Sequence, residues 1–407
     1  MTTFEEILNS NKIFEDRNAL SPHFVPDLLL YREEELKRMM VALAPIINGK
    51  KGKNIFIYGK TGSGKTSSAR LVLNRLEPYR SNGIYTFYMN CRVYDSRYKV
   101  LQKILSEIKH NFAKSGHSFT LLYEELVDWI ENNAKNSDHA NPAQNHARHI
   151  VILLDEIDLV GDLDSLVYTL TRTNDDLHLR GTLSLIGISN RVNFKSKLDA
   201  RSISSLCEEE LVFQPYNATQ LSQILTERCR IAFKPDIVQE SAINLASAIA
   251  ASENGDARYA LLLMSRAGEL AESQNLQRIT DKEVEEARKI ADEDKAFEII
   301  STLPEHQKLL LYGLATLVEE IHYKRLIDEV GEKLYSSGEV YERYCSVCKK
   351  WGKSTRSSRW FREYIADIES LGIIQTVTSG KGLRGHTTLI KLCYDPAKVK
   401  ASVEKSS

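Results

Sequence analysis

The chain has 407 residues, enough for two or three domains each with its own core. Its 54 Lys and Arg balance 55 Asp and Glu, so charge gives no global preference for nucleic acid and any polyanion site has to be a local patch. Six scattered cysteines exclude a disulfide framework, and a polar, acidic start with no long apolar run excludes a signal peptide and a membrane span, so a cytoplasmic protein is expected.

In chain order, Ser21-Pro22-His23-Phe24-Val25-Pro26 is extended and punctuated by proline. Tyr31-Arg32-Glu33-Glu34-Glu35-Leu36 then opens a helix whose acids suit its N-terminal end. The apolar run Asn54-Ile55-Phe56-Ile57-Tyr58 reads as a strand, and Ser67 to Leu76 reads as a helix. Between them stands Gly59-Lys60-Thr61-Gly62-Ser63-Gly64-Lys65-Thr66. Strand, glycine loop and helix in that order make a phosphate-binding site. The glycines let backbone N–H groups turn inward on a triphosphate at the positive end of the helix. Lys65 reaches the β- and γ-phosphates, and the Thr66 hydroxyl serves Mg2+.

Gly83 to Asn90 reads as a second strand, and Tyr98 to His110 and Leu121 to Asn132 carry helical apolar spacing. Asn133 to Arg148 reads as a surface loop. The apolar run His149 to Leu154 ends in Asp155 and Glu156, as a core parallel strand does when it delivers acids beside a phosphate loop. Asp155 suits Mg2+ held through water, and Glu156 suits orientation or deprotonation of the attacking water. Gly181 to Asn190 is another buried strand with an amide at its tip. Asn190 lies near Asp155 if the two strands are neighbours, although a turn-forming Asn reads equally well. The alternation down to Phe213 predicts an α/β parallel sheet wrapped by helices.

From Pro215 the texture is helical: Ala218 to Phe233, Ile237 to Ser252, Arg258 to Gln274 and Asp281 to Asp292. Asp256 is a good N-cap for the third of these. Arg258 in its first turn opposes the helix dipole and calls for an anion. Ala291 to Lys295 is a charged linker or a continuation of the helix.

Beyond it, Leu303 to Val318, Ser337 to Lys350 and Ser354 to Leu371 read as helices. Gly372 to Thr378 and His386 to Leu392 then read as strands around a glycine-rich turn. Three helices followed by a hairpin is the order of a winged helix. At about 100° per residue, Phe361, Tyr364, Ile365, Ile368 and Leu371 share one side of the third helix, and Arg356, Arg359 and Arg362 share the other. With Lys353, Thr355 and the turn residues Lys381 and Arg384 they form a candidate duplex-binding face, the other reading being the solvated surface of a protein-interaction domain. Cys345 and Cys348 have zinc-ribbon spacing without a second pair nearby, so they read as buried helix residues. His146 and His149 read as surface residues.

In combination, the glycine loop, Leu153-Leu154-Asp155-Glu156-Ile157-Asp158, Gly187-Ile188-Ser189-Asn190, Leu198 to Leu206 and Gly255-Asp256-Ala257-Arg258 resemble an AAA+ ATPase. More narrowly, from about Ser21 to Leu392 the chain resembles the archaeal relatives of the origin recognition complex's large subunit and the cell-division-control initiator. The resemblance implies ATP or ADP with Mg2+ as cofactors. It makes Asn190 the sensor 1 residue, Arg258 the sensor 2 arginine and Arg201 the arginine finger toward a neighbouring subunit. Val25, Pro26, Tyr31 and Arg32 lie where the family encloses adenine, and Ser67 and Tyr216 belong with them. Ala200 replaces the proline common before the finger.

The implied layout is a nucleotide-binding α/β domain over 1–214, a helical lid over 215–294 and a winged-helix DNA-binding domain over 295–407. The implied function is a replication initiator, a slow ATPase switch that binds origin double-stranded DNA with other initiator subunits and helps load the replicative helicase. A nucleoid-associated location follows from that role. A branch-migration motor and a nucleotide-gated transcription regulator are the rival readings.

Overall fold

The computed structural model describes residues 13–22, 24–109, 116–131, 148–176, 181–191, 198–206, 208–320, 334–378 and 388–406. The chain divides into two compact units, Met1–Val284 and Glu285–Ser407. Among the described residues no helix is long and apolar enough to cross a membrane.

In the first unit, α1 (Glu33–Leu43) carries three acids in its opening turn, where the helix dipole favours them. Then β1 (Asn54–Gly59) runs through the glycine loop into α2 (Lys65–Leu76). After these come β2 (Ile84–Asn90), α3 (Arg97–Ile108), α4 (Phe119–Glu131), β3 (His149–Asp155), α5 (Leu163–Asp176), β4 (Thr182–Ser189), α6 (Ala200–Leu206) and β5 (Glu208–Phe213). The sequence had not singled out α5, α6 or β5.

The strands form a five-stranded sheet in the order β2-β3-β4-β1-β5, and every pairing is parallel. Side chains alternate along a strand, so Ile55 and Ile57 pack with Leu36, Met39 and Leu43 on one face. On the other, Phe56 and Tyr58 join Ile104, Leu126 and Val167. Burial on both faces is why β3 reads as an unbroken apolar run.

His149 opens that run and is itself buried, its Nδ1 2.9 Å from Thr182 Oγ1. The expected surface position is therefore corrected, because the strand lies inside the sheet, and burial holds the imidazole pKa below its usual value. His146 lies outside the described residues, as does most of the expected loop from Asn133 to Arg148.

Three helices follow, α7 (Ala218–Ala232), α8 (Glu240–Ser252) and α9 (Ala257–Ser273), and α10 (Asp281–Thr302) begins at the end of this unit and runs on into the second. A capping box of Asn217 and Gln220 starts α7. Asp256 caps α9 by accepting from the backbone N–H groups of Arg258 and Tyr259. The charged stretch 291–295 continues α10 rather than breaking it.

The second unit contains α11 (Glu305–Glu320), β6 (Tyr335–Ser336), α12 (Ser337–Lys350), α13 (Ser358–Ser370), β7 (Ile374–Thr378), β8 (Thr388–Leu392) and α14 (Pro396–Ser406). The strands form an antiparallel sheet in the order β6-β8-β7. Its core joins Leu310 and Leu314 of α11 to Tyr344, Phe361, Ile368 and Ile390, and Val399 of α14 seals it. Cys348 is buried in this core and Cys345 packs against it. The helices and the β7–β8 pairing match the predicted winged helix, while β6 and α14 are additions that the sequence did not announce.

Candidate nucleotide site and nucleic-acid interface

In-register pairing brings the ends of β1, β3 and β4 to one edge of the sheet. Tyr58 lies opposite Ser189 and Leu154 opposite Gly187, so the glycine loop, Asp155 and Asn190 emerge together. Ligands of open parallel sheets sit at such an edge. Here it borders a cavity of about 880 Å3 that α7 and α9 cover from the other side. The cavity is lined by Thr61, Gly62, Ser63, Gly64, Lys65, Thr66 and Ser67, by Val25 and Pro26, by Asp155, Glu156 and Asn190, and by Tyr216 and Arg258.

The loop holds its shape through backbone conformations that only glycine adopts cheaply. Gly62 has φ +68° and Gly64 has φ +89°. A Cβ on Gly62 would collide with the Asp256 carboxylate, and Ala257 N donates to Gly62 O at 3.3 Å, so the loop tip meets the start of α9 directly. Lys65 is buried and donates from Nζ to Gly59 O (2.8 Å) and Lys60 O (2.6 Å). Burial, and then the nearby Arg258 guanidinium, lower its pKa to about 8. A polyanion placed there would relieve both effects.

Asp155 gathers three donors. Thr66 Oγ1 reaches its Oδ2 at 2.9 Å, Tyr88 OH reaches the same oxygen at 3.3 Å, and Glu156 N reaches Oδ1 at 3.1 Å. A hydroxyl and a carboxylate so close are the hard oxygen pair that suits Mg2+. The glycine loop at the start of α2, with Lys65 and Arg258 also lining the cavity, suits a triphosphate equally well. Glu156 has a left-handed backbone (φ +55°), and Arg92 Nε and Nη2 hold its carboxylate at 3.0 and 3.3 Å.

Five residues expected at the nucleotide are not in the cavity lining. Gly59 and Lys60 supply the carbonyls that hold Lys65, while Lys60 Nζ donates to Asn254 Oδ1 at 3.2 Å. Arg32 is buried behind the loop, where its Nε donates to Ser63 O (2.9 Å) and its Nη2 to Gln214 O (2.6 Å). Its guanidinium also lies 4.1 Å from the Tyr216 ring centroid. Arg32 therefore ties the glycine loop to the end of β5. Tyr31 has φ +62°, and its hydroxyl meets Gln223, which itself lines the cavity. Arg201 is exposed on α6 and does not reach the cavity of its own chain.

Sequence reasoning missed Arg92, Arg70, Tyr88 and Arg228. Arg70 lies 4.0 Å from the Tyr88 ring centroid, and both line the cavity. A signal for Arg70 existed: it lies on the same helix as Lys65, little more than one turn on. Nothing local marks the others.

In the second unit, Phe361, Ile365 and Ile368 of α13 are buried, while Arg359 and Arg362 are exposed. The side chain of Arg359 is 89% accessible and 3.7 Å from Glu363. Lys353 and Thr355 are exposed too, and Lys353 Nζ lies 2.5 Å from Glu305. Arg356 is corrected in one respect: it precedes the helix, because Ser357 takes the extended N-cap conformation. Its backbone is held by Tyr344 OH (3.2 Å) and Tyr341 OH (3.0 Å). Lys381 and Arg384 lie outside the described residues.

Comparison with known proteins identifies the fold of each part. Residues 48–190 match an AAA domain, residues 222–289 the Cdc6 AAA+ ATPase-type lid domain, and residues 298–402 the CDC6 C-terminal winged helix domain. The ORC1-type DNA replication protein 1 of Archaeoglobus fulgidus is 35% identical over 409 residues, covering 100% of this chain and 94% of that one. Its namesake from Sulfurisphaera tokodaii is 37% identical over 409 residues, covering 99% and 97%. The structure of the Aeropyrum pernix ORC1 protein in complex with DNA superposes with a TM-score of 0.70 at 35% identity, covering 97% of both chains. With these matches over its whole length, the chain belongs to the ORC1-type DNA replication proteins, AAA+ ATPases that carry a Cdc6-type lid and a C-terminal winged helix.

Proposed function

We propose that this protein is a replication initiator whose ATP form grips origin duplex DNA and helps recruit and load the replicative helicase. The observation that carries the reading is the pairing, in one chain, of a lid-covered phosphate cradle with a winged helix that presents an arginine face. The relatives' shared name and the DNA-bound state of the A. pernix neighbour support it.

In the proposed cycle, the loop amides and Lys65 hold the β- and γ-phosphates, and Arg258 reaches the γ-phosphate from the lid. Mg2+, when bound by Thr66 and Asp155, neutralises phosphate charge. Glu156 orients the attacking water once its carboxylate leaves Arg92, and Asn190 positions that water against the phosphate. Arg201, exposed and away from its own cavity, serves a neighbouring initiator subunit on DNA. Turnover is slow because the catalytic carboxylate rests in an ion pair, which suits a switch better than a motor.

Arg356, Arg359 and Arg362, with Lys353, Thr355 and the wing residues Lys381 and Arg384, face the duplex. The working parts are the α/β domain to residue 214, the lid to 294 and the winged helix beyond. Footprinting of the protein on its own genome with ATP and with ADP tests the reading. Protection of repeated elements near a replication start is expected, and protection confined to promoters would overturn it.

A further inference from the structure

The first unit buries a cation that the phosphate chemistry leaves unused. Arg228 of α7 is 7% exposed and lines the same cavity as Phe24, Val25 and Pro26. Its Nη2 reaches Ser21 O and Phe24 O only at 3.4 Å each, and its guanidinium lies 4.5 Å from the Phe24 ring centroid. Nη1 is buried and has no hydrogen-bond partner among the described residues.

Burial alone pushes the Arg228 pKa down to about 10, with no carboxylate raising it in return. A stranded charged donor is costly, and Arg normally lets its head reach water. A buried, unpartnered Nη1 on a guanidinium beside the Phe24 ring, in a cavity that Val25 and Pro26 also line, calls instead for an occupant with a flat face and an in-plane acceptor. Phosphate offers no flat face. A purine offers both, since its edge carries lone pairs at N1, N3 and N7.

We propose that Arg228 is the residue that reads the base of the bound nucleotide, donating from Nη1 to one ring nitrogen of the purine. The proposal rests on the nucleotide reading of the cavity and adds a specificity residue to it. A guanidinium donates and never accepts, so the edge it meets must present a lone pair.

The test titrates the full chain with ATP, its 1-deaza, 3-deaza and 7-deaza analogues, and inorganic triphosphate. The wild-type chain should bind one analogue about ten- to a hundred-fold more weakly than ATP and the other two nearly as well, as expected for one hydrogen bond to a charged donor. Arg228→Met should lose a similar factor for ATP, treat all three analogues alike and bind triphosphate unchanged. Equal binding of all analogues by the wild-type chain would overturn the proposal, whatever the variant does. So would a variant that loses triphosphate as strongly as ATP. A wild-type chain that binds neither ATP nor triphosphate would overturn the nucleotide site itself, and this proposal with it.

Discussion

The glycine-loop cavity and the arginine face of α13 are both suited to anions, and they are built in opposite ways. In the cavity, Lys65 is 5% exposed, its ammonium is fixed by two carbonyls, and the loop that carries it is tied down by Arg32. On α13 the Arg359 side chain stands 89% in solvent. A buried, pre-positioned cation serves one ligand geometry and loses much when removed. Exposed arginines act through charge and reach, so each contributes less and is screened by salt.

The sharpest way to break this comparison is Lys65→Ala. Two lost charge-assisted phosphate contacts should weaken nucleotide binding by about a hundred-fold or more, while duplex affinity stays nearly unchanged. Fluorescent-nucleotide titration and gel shift read the two separately, and a joint collapse would put both anions on one surface. Next comes Arg359→Ala, which should cost about five- to a hundred-fold in duplex affinity if a base edge is read. If only phosphate is touched, the salt slope should fall by about one. Unaltered affinity and slope would remove α13 from the duplex face.

A pH titration sharpens the buried side. Lys65 in the nucleotide-free protein titrates at about 8, and a bound triphosphate raises that value. Binding therefore takes up a proton above pH 8. Affinity should be full below that pH and fall by up to about tenfold per unit above it, until the pKa of the complex is reached. Calorimetry in buffers of differing ionisation heat should show this proton uptake, and a flat profile would mean that Lys65 is already charged without ligand. The smallest expected effect is at Arg92, whose own side chain is largely exposed where it meets the half-buried Glu156. Arg92→Ala should speed ATP turnover about two- to five-fold, the scale of an exposed ion pair. Slower turnover would make Arg92 a helper rather than a restraint.

Much of the first unit was legible because its determinants are local. The residue types from Gly59 to Thr66 state a loop, the apolar run before Asp155 states a buried strand, and Asp256 states a helix start. Side-chain direction was not legible. Arg32 stands in the right segment, yet Tyr216, nearly two hundred residues later in the chain, draws it behind the loop. Arg92 meets Glu156 only because β2 pairs with β3, an order that no single-strand pattern encodes. On α13 the wheel placed Phe361, Ile365 and Ile368 in the core and Arg359 and Arg362 in solvent, but Leu371, expected on the core side, is the exposed C-cap because the helix ends at Ser370. Nor could it see that Ser357 starts the helix late, which leaves Arg356 in the irregular segment before it.

The contact between Gly62 and the start of α9 has a mechanical consequence. With a hydrogen at Cα, the loop tip and the lid nest together, and even one methyl group would act as a wedge driven between them. Gly62→Ala thus offers a handle that alters lid closure without changing any charge at the phosphates. It would separate the contribution of the loop–lid contact to ATP turnover from that of the electrostatics.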